Sequence, residues 1–79
     1  MKHLYISITT ISFTVTSPEL TTLKIYNSLG EEVAILINEE LTTGSYEIEW
    51  DATGLPSGIY FYQLQAGNFI ETKKMILLK

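Results

Sequence analysis

Apolar and polar residues alternate along most of this chain with a period of two, the spacing of a half-buried β-strand. Ile11, Phe13 and Val15 alternate with Ser12, Thr14 and Thr16, and Tyr46, Ile48 and Trp50 with Ser45, Glu47 and Glu49. Leu23 and Ile25 flank Lys24 in the same way. Tyr60, Tyr62 and Leu64 alternate with Phe61, Gln63 and Gln65, which gives one apolar face and one mixed face. Val33–Ile37 and Met75–Leu78 are unbroken apolar runs, which predicts short strands buried on both sides. No window carries the i, i+3, i+4, i+7 spacing of an amphipathic helix.

Turn chemistry separates the runs. Ser17-Pro18-Glu19 ends the first, and Asn27-Ser28-Leu29-Gly30 predicts a tight hairpin in which Gly30 takes a positive φ. Asn38 to Gly44 reads as a longer polar connection, and Asp51 to Gly58, with two glycines and Pro56, as a turn region. Ala66-Gly67-Asn68 predicts a last hairpin. Six or seven short strands at this spacing, with no helix between them, indicate an all-β antiparallel sandwich or small barrel.

Composition narrows the function classes. Seventy-nine residues make a single domain, 1–79, with a thin core. Cysteine is absent, which excludes disulfides and thiolate chemistry. The net charge is −4 and there is no arginine, the preferred residue for bidentate phosphate contacts, so nucleic acid has little support as a partner. Eight of the nine acids lie between Glu19 and Asp51, while Lys73, Lys74 and Lys79 fall in the last seven residues, giving an acidic body with a basic tail. No segment reaches the roughly 18 uninterrupted apolar residues of a membrane helix. The opening Met1-Lys2-His3 and the apolar stretch after it imitate a secretory signal, but five hydroxyl residues dilute that stretch and it reads as a strand.

Catalytic chemistry has no centre here. His3 is the only histidine, so a nucleophile–base relay cannot be assembled. Glu47, Glu49 and Asp51 share one face of one strand, but residues two apart on a strand are about 7 Å apart. A calcium ion needs six to eight oxygens at about 2.3–2.6 Å, so the acids read as the solvent face opposite Tyr46, Ile48 and Trp50. Glu31-Glu32 and Glu39-Glu40 read as surface charge beside turns. Trp50, Tyr60 and Tyr62 are assigned to the core, with Phe61 the aromatic left for exposure or contact. No cofactor and no enzymatic activity are expected.

Several segments taken together resemble a known family. They are Thr9-Thr10-Ile11-Ser12-Phe13, Leu23-Lys24-Ile25-Tyr26-Asn27, Leu29-Gly30-Glu31-Glu32-Val33 and Gly44-Ser45-Tyr46-Glu47-Ile48-Glu49-Trp50-Asp51. They continue with Leu55-Pro56-Ser57-Gly58-Ile59-Tyr60-Phe61-Tyr62 and Glu71-Thr72-Lys73-Lys74-Met75-Ile76-Leu77-Leu78-Lys79. The chain resembles the C-terminal sorting domain of the type IX secretion system (type A, Por secretion), with the immunoglobulin-like part of flagellar hook-capping proteins as its neighbour in pattern. The resemblance implies an immunoglobulin-like sandwich at the end of a secreted cargo protein. It implies partners in the outer-membrane translocation machinery and a sortase-like peptidase, and a location, after passage through the periplasm, in the medium or at the cell surface. In the family an Asn-Pro-rich linker precedes the domain; residues 1–8 stand in its place as an atypical leader.

The expected recognition element is the terminal strand with its lysines, Lys73, Lys74, Met75, Ile76, Leu77, Leu78 and Lys79. At a sheet edge it would accept a partner strand, and its two adjacent lysines point to opposite faces. The same lysines would also serve merely to keep an edge strand from aggregating. Gly30, Gly44, Trp50, Asp51, Gly58 and Tyr60 are family-motif positions with a mainly structural role. Exposed edges also make a homo-oligomer through strand addition an expectation. The alternative to a sorting signal is an adhesive or structural module that binds protein or glycan, dependent on a surface aromatic such as Phe61.

Overall fold

The alternating segments become six strands, and every pairing among them is antiparallel. The computed structural model describes residues 8–78. The strands are β1 (Ile8–Val15), β2 (Glu19–Asn27), β3 (Glu32–Leu41), β4 (Gly44–Asp51), β5 (Gly58–Ala66) and β6 (Phe69–Leu77). β1 and β4 form a two-stranded sheet, and the rest form a four-stranded sheet in the order β3-β2-β5-β6. The two sheets make a β-sandwich around Ile11, Leu23, Ile25, Ile37, Trp50, Ala52, Tyr60, Leu64 and Leu77. This decides between the sandwich and the barrel in favour of the sandwich. The leader expected over residues 1–8, with His3, lies almost wholly outside the described residues, as does Lys79.

Period two places the core as the sequence predicts. Ile11 and Val15 on β1, Leu23 and Ile25 on β2, and Tyr60 and Leu64 on β5 are buried, and their neighbours turn outward or to the sheet's other face. The only buried polar side chain among the described residues is Thr21, whose Oγ1 donates to the Glu19 carbonyl at 3.2 Å. That bond removes the cost of placing a hydroxyl in the core.

The turns divide into two kinds. The β2–β3 and β5–β6 connections are hairpins within the large sheet, while the other three pass from one sheet to the other. At the β2–β3 turn Gly30 has φ +82°, as predicted, and its N–H donates to the Asn27 carbonyl at 3.0 Å. The Asn27 side chain organises this turn. Its Oδ1 accepts from the N–H groups of Leu29 (3.0 Å) and Glu31 (2.9 Å), and its Nδ2 donates to the Glu31 carboxylate at 2.9 Å. At the β5–β6 turn Gly67 has φ +60° and Asn68 is not in the positive-φ region, the arrangement of a two-residue II′ hairpin.

Two expectations are corrected. The polar connection predicted for Asn38 to Gly44 is two residues long, because β3 continues through Glu39 and Glu40 to Leu41. It does so because β2 offers partners as far as Glu19, and backbone pairing extends the strand whatever the side chains are. Nor are Val33–Ile37 and Met75–Leu78 buried on both sides. Ile35 is 51% exposed, Ile76 64% and Leu78 74%. Both runs lie in the edge strands of the large sheet, and a two-layer chain has no third layer to cover that sheet's outer face.

Candidate recognition site on the terminal strand

β6 pairs with β5 along its whole length and has no second neighbour in the sheet. Directly opposed residues in an antiparallel pair share a face, so the register assigns each side chain. Lys73 lies opposite Tyr62 and Met75 opposite Tyr60, on the core side; Lys74 lies opposite Phe61 and Ile76 opposite Ile59, on the outer side. The two lysines therefore diverge, as parity predicts, and both are exposed. Leu77, only 7% exposed, anchors the end of the strand in the core, so it holds β6 in place and is not available to a partner. Leu78 is exposed just beyond the strand.

Trp50, Asp51, Gly58 and Tyr60 gather at one end of the sandwich, while Gly44 lies at the other end of β4. Trp50 and Tyr60 meet edge to face, their ring centroids 5.8 Å apart and their planes at 65°. The Tyr60 hydroxyl donates to the Pro56 carbonyl at 2.8 Å, tying β5 to the loop that leads into it. Asp51 accepts from the Thr53 N–H at 2.9 Å, which turns the chain out of β4. Gly58 opens β5 opposite Leu77, so this loop abuts the anchored end of β6. Gly44 has a lesser role: a methyl group there would make only ordinary contact with the Tyr46 ring, at 3.8 Å.

The edges of the large sheet differ in regularity. Along β2, Leu23 pairs with Ile37 but Lys24 with Ile35, and Ile25 pairs with Ala34 but Tyr26 with Glu32. Leu36 and Val33 are thus extra residues, two bulges within one edge strand. The β5–β6 register has no such shift. The far sides of β1 and β4 are also free in the two-stranded sheet. β1 carries no charge and β4 turns Glu47, Glu49 and Asp51 outward, so β6 is the only cationic edge among the described residues.

Among the open hollows of the sandwich, two lie beside its turns. One, of about 310 Å³, is lined by Thr14, Ser17, Glu19 and Phe69 among others; the second, of about 230 Å³, includes Asn27, Leu29, Pro56 and Tyr60. Together they hold a single carboxylate, that of Glu19. Among the described residues no three His, Cys, Asp or Glu side chains converge.

The model of the secretion system C-terminal sorting domain matches residues 5–78. The chain belongs to this family. Neither a curated protein nor a solved structure matches it significantly. Domains of the family are the C-terminal sorting signals of type IX secretion cargo, and that is the function of this one. Membership implies a non-catalytic role, an interaction with the secretion machinery, and export of the attached cargo to the outer membrane or cell surface. For the sorting domain, then, the chemistry that matters is what its surface offers another protein. The sequence pattern does not show the bulges of β3, the side-chain bonds of Asn27 or the apolar residues on the outer face of the large sheet. An asparagine at the first position of a hairpin turn was the one signal available for the second of these.

Proposed function

We propose that the secretion machinery reads this sorting domain along β6, and that residues 1–79 act as one non-enzymatic recognition unit. The observation that carries the proposal is the contrast between the edges. β6 is regular and bears Lys73 and Lys74, whereas β3 is bulged twice and bears Glu39 and Glu40. A partner strand adds most readily to an unbulged edge, where successive N–H and C=O groups keep their spacing. Lys73 and Lys74 would then lie on either side of the incoming backbone, each beside an acidic group. Met75, Ile76 and Leu78 supply apolar contact next to them, Leu77 holds the strand in register, and Lys79 extends the charge. The partners are the outer-membrane translocation components and a sortase-like peptidase that acts on the cargo afterwards, leaving it in the medium or at the cell surface.

The test is secretion of a periplasmically exported reporter fused ahead of this domain, in a host with type IX machinery. The native fusion should reach the surface or medium. Replacing Lys73 and Lys74 together by alanine should strand the reporter in the periplasm while circular dichroism still reports a folded β-domain. Equal delivery by both fusions would remove the lysines from the recognition element.

A further inference from the structure

The outer face of the β3-β2-β5-β6 sheet carries large exposed apolar side chains interleaved with Thr22, Lys24, Gln63, Gln65 and Thr72. Antiparallel sheets with one solvated side ordinarily turn polar residues to it. Among the described residues eight large apolar side chains are exposed, and five of them, Leu20, Ile35, Ile59, Ile70 and Ile76, project from this one face. Tyr26 and Phe61 lie side by side among them. Four strands at about 4.8 Å and nine residues at about 3.3 Å give a face of roughly 19 Å by 30 Å. On it Tyr26, Phe61, Ile59 and Ile76 adjoin one another at one end, and clustered exposed apolar side chains of this kind mark an interaction site.

The arrangement of the face indicates what covers it. One row crosses the whole sheet: Glu32 on β3 pairs with Tyr26 on β2, Tyr26 with Phe61 on β5, and Phe61 with Lys74 on β6. The row thus has an acid at one margin, a base at the other and two aromatics between. The Glu32 carboxylate lies 3.6 Å from Lys24 Nζ, the residue two before Tyr26 on β2, which fixes Glu32 on this same face. In the next row Gln63 donates to the Thr72 hydroxyl at 3.3 Å, so the β5–β6 part of the face is ordered in the same way.

Such a row is complementary to itself. A twofold axis parallel to the strands, running between β2 and β5, reverses the row from left to right. Lys74 then faces the partner's Glu32, and Phe61 faces the partner's Tyr26, and the reciprocal contacts follow by symmetry. Sheets stacked about 10 Å apart and turned by about 30° would shift the ends of the row by a few ångströms, within the reach of a lysine. Apolar centre and charged margin are also the anatomy of a protein–protein interface.

We propose that the outer face of the four-stranded sheet is a self-association surface, on which two copies of this domain pack face to face about a twofold axis parallel to the strands. Two faces of this size bury about 1,100 Å², the lower end of specific interfaces, so association is weak and depends on concentration. It uses a face and not an edge, and leaves Lys73 and the free backbone of β6 uncovered.

Sedimentation equilibrium of the full chain from about 10 μM to 1 mM should show a mass rising toward twice that of the monomer. Lys74→Glu and Glu32→Lys, each placing like charges together at two symmetry-related contacts, should each weaken association about tenfold. The double variant, which restores opposite charges, should recover it to within about threefold. Ile35→Asp, on β3 and distant from the lysine-bearing edge, should abolish association and leave the circular dichroism spectrum unchanged. Ile35→Asp should also leave reporter secretion intact, which separates this surface from the β6 recognition edge. A monomer at every concentration, a dimer indifferent to either charge reversal, or single reversals that the double variant fails to repair would each overturn the proposal.

Discussion

β3 and β6 occupy equivalent positions, the two edges of one four-stranded sheet, and the chain treats them differently. Each is joined to an inner strand by a hairpin, and each sends one well-buried aliphatic residue into the core, Ile37 from β3 and Leu77 from β6. Inward they are equals. Outward, β3 carries two bulges and adjacent acids, while β6 is regular and carries adjacent lysines. Bulges and charge are the means by which β-proteins keep an edge from recruiting stray strands. β3 has both, and β6 has charge alone. On the proposal that β6 meets a partner, regular backbone gives that partner its ladder and the charges supply the discrimination.

The sharpest way to break this comparison is to remove charge from each edge in turn. In the reporter fusion, Lys73 and Lys74 changed together to alanine should lower surface delivery at least about tenfold. Glu39 and Glu40 changed together should leave it within about twofold. The two changes move the net charge in opposite directions, so equal losses from both edges would show that export does not single out β6.

The inward equality gives the next largest effect. Ile37→Ala and Leu77→Ala each remove a buried aliphatic side chain at the sheet margin, and each should cost about 2–4 kcal/mol in urea denaturation. A much smaller loss at Leu77 would mean that the end of β6 is only loosely held. β6 would then be a segment that detaches, not a fixed edge.

Much of this contrast could be read from the residues, and some of it could not. Period two located the strands and their buried faces, and parity alone placed Lys73 and Lys74 on opposite sides. The bulges left no separate signal. Val33 and Leu36 lengthen an apolar run that Ala34, Ile35 and Ile37 would form without them, because Ile35 is an exposed apolar residue of the outer face. The run at Met75–Leu78 misleads in the same way, since Ile76 lies on that outer face and Leu78 is exposed beyond the strand. Glu39 and Glu40 suggested a loop because polarity does not distinguish a connection from a charged edge. Strand order, which decides what is an edge, depends on long-range pairing that no local window contains.

The hairpin turns sharpen the comparison at a smaller scale, because each delivers one edge strand by different chemistry. Asn27→Ala deletes side-chain bonds to two backbone N–H groups, but water can replace both at this exposed turn, so the loss should be about 1 kcal/mol. Gly67→Ala forces a Cβ onto a residue at φ +60°, which costs about 1–2 kcal/mol by itself. That Cβ would also lie 2.7 Å from the Glu19 carboxylate. If the contact adds to the backbone strain, Glu19→Ala should recover part of the loss in the Gly67→Ala background. If the strain acts alone, the two substitutions should be additive.

The smallest effect belongs to the ion pair that joins β3 to its inner neighbour. Lys24 and Glu32 are 3.6 Å apart, with both side chains about a third or more exposed, so water and salt screen most of their attraction. Glu32→Gln keeps the shape of the side chain and should change stability by less than about 0.5 kcal/mol. A pair worth so little to the fold leaves the Glu32 carboxylate free to answer a charge arriving from outside. A larger loss in thermal or urea denaturation would make the pair a brace for the bulged strand, tying Glu32 across the shift between Ile25 and Tyr26. The irregular edge would then depend on charge for its place in the sheet, whereas β6 keeps its place by an unbroken ladder and Leu77.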